Sequence, residues 1–177
     1  MKERAIVYAG AGSRKAPREV LRLAERVAAR LAELGLVLRT GGAEGMDEAW
    51  ERGARSRGGK VELYLPWNGF RGKKGVLPLP QAYPIAAPFH PKWGELGKGT
   101  RALMARNAHV VLGEDLATPA AFLLVWTPGG EAVGGTGHAI RLAASRGVPV
   151  FNLARKGALE RLGAYLERLG VPVKGRG

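Results

Sequence analysis

The sequence predicts an α/β fold in which a mainly parallel sheet of five or more strands carries helices on both faces. Five short apolar runs rich in Val, Leu, Ile and aromatic residues are typical of buried strands: 4–9, 36–39, 60–65, 121–126 and 148–153. Helical patterns separate or follow them: 17–34, 44–57, 98–112, 135–146 and 156–169. Because strands and helices alternate along the chain, the fold should be doubly wound and Rossmann-like.

The first helix shows how the boundaries follow from the residues. Val20, Val27 and Leu31 recur at helical spacing and belong to one apolar face. Pro17 stands where a first turn tolerates proline, and Gly35 follows the helix as a C-cap glycine does. These signals predict a helix over 17–34.

Length and composition limit the possible classes of protein. A chain of 177 residues without a shift in composition is expected to form one domain, spanning 1–177. The sequence has neither an apolar run of membrane-helix length nor a signal-peptide pattern, so a cytoplasmic protein without membrane association is expected. With no cysteine and three scattered histidines, the sequence predicts no disulfide, no metal site and no resident cofactor.

The chain is strongly basic. Its 28 Lys and Arg residues against 15 Asp and Glu residues give a formal net charge of +13, and a field of that sign attracts nucleic acids or nucleotides. Four arginines recur every four residues on the first predicted helix: Arg18, Arg22, Arg26 and Arg30. They form either a binding ridge or a solvated face that pairs with Glu25 and Glu33. Basic composition of this kind also suits a thermophile.

One stretch, 66–97, interrupts the alternation and is called the connecting segment below. It contains six of the eleven prolines and five aromatic residues: Trp67, Phe70, Tyr83, Phe89 and Trp93. A loop of this length is a lid, a binding loop or a disordered insertion, and its aromatic content argues against disorder. The aromatic rings either stack on bases or hold the loop against the core.

Ligands of open parallel sheets bind beyond the carboxyl ends of the strands, so the loops after the strands are informative. The first is GAGSRKAP, in which Gly10 and Gly12 permit close backbone approach and Ser13 offers a hydroxyl. Arg14 and Lys15 add positive charge at a helix N-terminus. GxG without a third glycine is a weak dinucleotide motif, so a simple strand-to-helix turn is the alternative.

The second loop, TGGAEG, contains Gly41 and Gly42 and precedes a helix with Asp47 in its first turns. Asp47 either complements the helix dipole, or it orients a ribose or base or holds an arginine in place.

The third loop, WTPGGEAVGGTGHAI, has more glycines than one turn requires. Its candidate binding residues are Gly129, Gly130, Gly134, Gly135 and Thr136. Backbone amides and a hydroxyl at a helix N-terminus form a candidate anion site, and three glycine-rich loops at one edge predict a phosphate-bearing ligand.

The ordered motifs GSRKAP, LRTGGAEGMDEAWERGA and WTPGGEAVGGTGHAIRLAASRGVPVFNL resemble those of the SLOG superfamily of Rossmann-like proteins. The resemblance is nearest to the DprA-like (DNA-processing-protein-A-like) members often carried by phages and mobile elements, and it extends over nearly the whole chain. It implies binding of nucleotides or single-stranded DNA, a role in DNA processing or recombination, and a homodimer or higher homo-oligomer. The family motifs fall on Gly12, Ser13 and Arg14, on Gly41, Gly42, Gly45 and Asp47, and on Gly134, Gly135 and Thr136.

A more distant resemblance is to the LOG-type phosphoribohydrolases, which use PGG followed by GT and a glutamate, with an upstream arginine. TPGG and GGTG are similar here, and MARN around Arg106 corresponds to the arginine motif. Gly-His follows Thr136 where an acidic pair is expected, which leaves Glu131 or Glu44 as a displaced carboxylate. A ribosyl hydrolase needs a carboxylate near the anomeric carbon.

The leading hypothesis from the sequence is a non-catalytic protein that holds the phosphates of a nucleotide or of single-stranded DNA. Contacts to nucleic acid are expected from five residues: Arg14, Lys15, Arg101, Arg106 and Asn107. Arg106 could instead pair with Glu114 or Asp115, and His90 and His109 are expected to be structural. The alternatives are a nucleotide N-glycosidic hydrolase and a sensor of a nucleotide signal.

Overall fold

The computed structural model describes residues 5–173, and it contains the strands and helices that the sequence predicts. The strands are β1 Val7–Gly10, β2 Val37–Thr40, β3 Val61–Leu63, β4 Leu123–Val125 and β5 Val150–Asn152. The helices are α1 Arg18–Glu33, α2 Met46–Ser56, α3 Ala82–Ala86, α4 Lys98–Leu112, α5 Gly134–Ser145 and α6 Ala158–Arg168. Arg4, the first residue of the predicted strand 4–9, lies outside the described residues.

The five strands form one parallel sheet in the order β3-β2-β1-β4-β5. Gly10 at the end of β1 is in register with Thr40 of β2 on one side and with Leu124 of β4 on the other. This arrangement confirms the predicted doubly wound α/β fold. The strand order reverses between β1 and β4, so the crevice beyond these two strands is the expected place for a ligand.

Helices cover both faces of the sheet because alternate strand residues point to opposite sides. Tyr8, Leu38 and Phe122 face a core that contains the buried residues of α1, α2 and α6. Ala9, Leu123 and other strand residues face a second core that is formed with α3, α4 and α5.

The connecting segment is attached to the second core by its backbone. It contains α3 and three short 3₁₀ turns, Phe70–Gly72, Ala87–Phe89 and Trp93–Glu95. Four side chains of α4 and α5 hold it. From α4, Arg101 Nε donates to Trp93 O (3.2 Å), and His109 Nε2 accepts from Leu79 N–H (3.0 Å). From α5, His138 Nε2 lies 2.9 Å from Ala86 O, and Arg141 Nε and Nη2 donate to Phe89 O (3.0 and 2.9 Å). The prediction that His109 is structural agrees with this contact.

Among residues 5–173, every helix is too short or too polar to cross a membrane. The same residues contain no cluster of three or more His, Asp or Glu side chains suited to hold a metal ion.

Candidate functional site

The loops that follow β1, β2 and β4 meet at one edge of the sheet. Ser13 links all three: its N–H donates to Trp126 O (3.1 Å), and its carbonyl accepts from Met46 N–H (3.2 Å). The hydroxyl of Thr40 donates to Gly10 O (2.7 Å) and ties the ends of β1 and β2 together. The residues that the sequence predicts as phosphate contacts therefore lie on neighbouring loops at the expected crevice.

The first loop presents its positive charges to solvent. Arg14 and Lys15 are exposed, and Ser13 Oγ accepts from Lys15 N–H (3.1 Å), so the serine hydroxyl stabilises the turn itself. A Cβ at Gly10 would lie 2.8 Å from Trp50 Cδ1. Close packing against the buried indole of Trp50 is thus sufficient to require glycine at position 10, independent of any ligand.

Two buried polar side chains, Asp47 and Arg106, bond the backbone of the second loop. Asp47 Oδ2 accepts from Ala43 N–H (3.1 Å), and Arg106 Nη1 donates to Gly41 O. A Cβ at Gly41 would lie 2.5 Å from that Nη1, so glycine is required here by the arginine. Burial raises the pKa of Asp47 to about 6, although the charge of Arg106 and the Ala43 N–H act against the shift.

Arg106 and Asn107 connect the second loop to the third. Arg106 Nε donates to Asn107 Oδ1 (3.1 Å), and Asn107 Nδ2 donates to Gly135 O (3.2 Å). Both residues are buried, at 7% and 9% exposure. Their observed role is to position the two glycine loops; the predicted contact of these two side chains with nucleic acid stays a prediction.

His138 occupies the position where a hydrolase of the LOG type would have an acidic residue. Both of its ring nitrogens have a hydrogen-bond partner. Nδ1 lies 3.2 Å from Asn107 Nδ2, and Nε2 lies 2.9 Å from Ala86 O. Because Nε2 faces a carbonyl oxygen, it carries the proton, and Nδ1 accepts from the asparagine. Burial lowers the pKa of His138 to about 4, so the ring is neutral at physiological pH.

The third loop leads into the N-terminus of α5, which is open. Gly134 and Gly135 are exposed and Thr136 is half-buried. The N-cap residue, Val133, makes no side-chain capping bond, and the first turn has no acidic residue. The first amides of a helix have no partner within the helix, so these N–H groups are available to an anion.

The other two glycines of this loop lie in a 3₁₀ turn, Pro128–Gly130. Gly129 is exposed, whereas Gly130 is buried and its carbonyl accepts from Arg155 Nη2 (2.9 Å). Glu131 and Glu44, the two candidate displaced carboxylates, are both exposed on loops. The open backbone is therefore concentrated at the start of α5.

Comparison with sequences found no relative. No protein-family model matches the chain, and no curated protein matches it.

Comparison with solved structures did find neighbours. The Moco carrier protein of Chlamydomonas rheinhardtii is 20% identical, with a TM-score of 0.56 over 95% of this chain and 87% of that one. DNA processing protein A from Helicobacter pylori is 17% identical, with a TM-score of 0.55 over 93% of this chain and 73% of that one. The structural-genomics target TM1055 is 23% identical, with a TM-score of 0.52 over 82% of this chain and 72% of that one.

These neighbours confirm the predicted α/β, Rossmann-like fold over most of the chain. DprA structures stand among them, as the ordered motifs predict. At these identities the likeness establishes the fold.

Proposed function

We propose that this protein binds a phosphate-bearing ligand, a nucleotide or single-stranded DNA, at the glycine-rich edge and does not cleave it. The phosphate is held by the amides of the first turn of α5, next to Gly134, Gly135 and Thr136. Arg14 and Lys15, on the adjacent loop, supply positive charge.

One observation carries this proposal: the exposed and uncapped N-terminus of α5 at the sheet edge. The helix has 12 residues, so its dipole is well developed, and two exposed glycines leave the amides sterically accessible. The buried contacts from Arg106 to Gly41 O and from Asn107 to Gly135 O support the site, because they fix the surrounding backbone before a ligand arrives. A preorganised site loses less entropy on binding.

The charge of the chain and the structural neighbours support the same class of ligand. A net charge of +13 favours a polyanion. Of the structural neighbours, the Helicobacter protein binds single-stranded DNA, and the Chlamydomonas protein is a Moco carrier.

The arrangement around α5 favours binding without hydrolysis. A ribosyl hydrolase needs a carboxylate near the anomeric carbon of the bound sugar. Among the described residues, the first turn of α5 has no acidic side chain, and neutral His138 has both ring nitrogens engaged. We therefore expect no release of free base from AMP, which chromatography of a long incubation measures.

The main test is a titration of labelled oligothymidylate at several salt concentrations, with AMP and ribose 5-phosphate as competitors. Binding should weaken as salt rises, with a log–log slope of about −0.7 for each phosphate neutralised. Arg14→Ala and Lys15→Ala should each make the slope shallower, and Arg168→Ala on α6, at the other end of the chain, is the matched control. Absence of binding by the strand and by both competitors would overturn the proposal.

Light scattering during the same titrations tests two remaining predictions. We propose that the chain is a homodimer or higher homo-oligomer, as the resemblance implies, and that it is a cytoplasmic protein. A change of mass on addition of AMP would instead support a sensor that couples the ligand to the oligomeric state.

A further inference from the structure

A cavity of about 480 Å³ lies between the connecting segment and the first turn of α4. Trp67 and Tyr83 of the connecting segment and Lys98 and Arg101 of α4 are among the residues that line it. The volume is in the range of small-molecule sites, about 300–1,000 Å³. This cavity is separate from the α5 N-terminus and has no part in the phosphate contact proposed above.

Trp67 keeps an unusual amount of surface in this cavity. Its side chain is 45% exposed, although tryptophan is normally well buried. Phe70 holds the indole edge-to-face at a centroid distance of 5.3 Å, and a Cβ at Gly99 would lie 3.7 Å from Trp67 Cζ3. The indole therefore has an aromatic neighbour at its edge, and the absence of a side chain at Gly99 leaves space beside it for a second ring.

The charged residues that line the cavity, Lys98 and Arg101, are both basic. α4 begins here with Gly97 as an N-cap that makes no side-chain capping bond, and its first turn has no acidic residue. Arg101 is fixed, because its guanidinium lies 5.4 Å from the Trp93 ring centroid and its Nε donates to Trp93 O. An anionic ligand with a planar ring therefore matches the cavity better than a neutral apolar one.

α4 connects the cavity to the glycine-rich edge. Arg101 lines the cavity, and Asn107 on the same helix bonds Gly135 O at the start of α5. Six residues of helix span about 9 Å. The cavity and the glycine-rich edge are thus contacted from one helix, within reach of a single strand.

We infer that the cavity stacks a base of a single-stranded nucleic acid on Trp67, while another phosphate of the same strand lies at the α5 N-terminus. Lys98 and Arg101 neutralise the phosphate next to the stacked base. This inference rests on the proposed function and adds to it a contact with the bases.

The experiment compares two strands of equal length, oligothymidylate and its abasic analogue, which have the same phosphates and differ in the bases. Stacking of one base on an aromatic side chain changes affinity by about tenfold or more. The protein should therefore bind oligothymidylate about tenfold more tightly than the abasic strand, and the bound base should quench tryptophan fluorescence. Trp67→Ala should remove this difference without changing the affinity for the abasic strand, and Trp67→Phe should keep most of it.

Arg168→Ala provides the matched control for Arg101→Ala, because Arg168 also lies over an aromatic ring, 5.8 Å from the Tyr165 centroid on α6. Arg101→Ala should weaken binding of both strands, and Arg168→Ala should weaken neither. If Trp67→Ala binds oligothymidylate as tightly as the parent protein does, the base contact is refuted and the proposed phosphate site stands. Equal losses for both strands in Trp67→Ala also refute it, as does preference for AMP over the strand. If neither strand binds the parent protein, the base contact is refuted, and the proposed phosphate site fails as well if AMP and ribose 5-phosphate do not bind either.

Discussion

Gly135→Asp should separate the stability of the protein from its capacity to bind phosphate. Gly135 lies in the first turn of α5, is exposed, and its backbone φ is not in the left-handed region. A Cβ there would lie 3.7 Å from Met104 Cε, which is an ordinary van der Waals contact. A side chain is therefore accommodated, unlike at Gly134, whose φ is +62°.

The two expected effects have opposite sign. A carboxylate in the first turn of a helix contributes about 0.3–1 kcal/mol, and replacing a helical glycine adds a few tenths. The free energy of unfolding should therefore stay equal or rise by about 1 kcal/mol. A phosphate about 5 Å from the new carboxylate would be repelled by about 3 kcal/mol at an effective dielectric constant of about 20. Binding should thus weaken by about 100-fold at low salt.

Gly135→Asn is the matched control, since asparagine has the shape of aspartate without its charge. Urea denaturation measures the stability of both variants, and titration with labelled oligothymidylate or AMP measures the binding. The asparagine variant should bind within a few-fold of the parent protein. Equal affinity of the aspartate and asparagine variants would show that the phosphate does not lie at the start of α5.

Four further predictions concern polar groups that are buried or partly buried. Tyr8→Phe should raise the free energy of unfolding by about 1 kcal/mol, because among the described residues the Tyr8 hydroxyl is the one buried side-chain polar atom without a hydrogen-bond partner. Tyr64→Phe should lower the free energy of unfolding by about 1–2 kcal/mol, because the Tyr64 hydroxyl donates to the Glu62 carboxylate at 2.7 Å. Urea denaturation measures both tyrosine variants, and a change of the same sign in both would contradict this reasoning. Burial lowers the pKa of His138 from 6.5 to about 4, so the unfolded state binds more protons between these values and the free energy of unfolding rises with pH there. Burial raises the pKa of Asp47 from 3.8 to about 6, so the folded state binds more protons between about 4 and 6 and the contribution of Asp47 falls with pH. Asp47→Asn should therefore steepen the rise with pH from about 4 to 6.5, and an unchanged slope would argue against a buried, protonated Asp47. Arg141→Ala should accelerate amide exchange in the connecting segment while the sheet stays protected, because two donors to the Phe89 carbonyl are lost. Exchange in the connecting segment at the rate of the parent protein would contradict this prediction.

The fold could be predicted from the sequence because its signals are local. Alternating apolar runs and amphipathic patterns mark strands and helices within a few residues, so β4 at Leu123–Val125 and α4 at Lys98–Leu112 lie inside or on the predicted ranges. The parallel sheet follows from the alternation itself.

The orientation of the side chains at the site could not be predicted in the same way. Arg106 bonds a carbonyl 65 residues away, at Gly41, and this contact depends on how α4 packs against the loop after β2. The glycine at position 10 depends on Trp50, which lies on a different helix. The loop motifs predict glycines and arginines at the carboxyl edge of the sheet. They do not tell which glycines are open to a ligand and which pack against other parts of the protein.

The structure of the connecting segment could not be predicted from local sequence patterns either. Its prolines and aromatic residues have no period, and the contacts that order it come from α4 and α5. His109 reaches Leu79 across 30 positions of sequence, and His138 reaches Ala86 across 52. The ring contacts of its aromatic residues depend on these attachments.

The attachment of the connecting segment to backbone atoms has a consequence for evolution. Arg101, His109, His138 and Arg141 bond carbonyl oxygens and one N–H group, which every residue type provides apart from the missing N–H of proline. Substitutions of Trp67 or Tyr83 therefore leave these anchor bonds in place. Descendants of this chain can exchange the aromatic residues of the proposed base site while they inherit the same backbone frame, so the ligand preference of that proposed site is free to diverge faster than the fold.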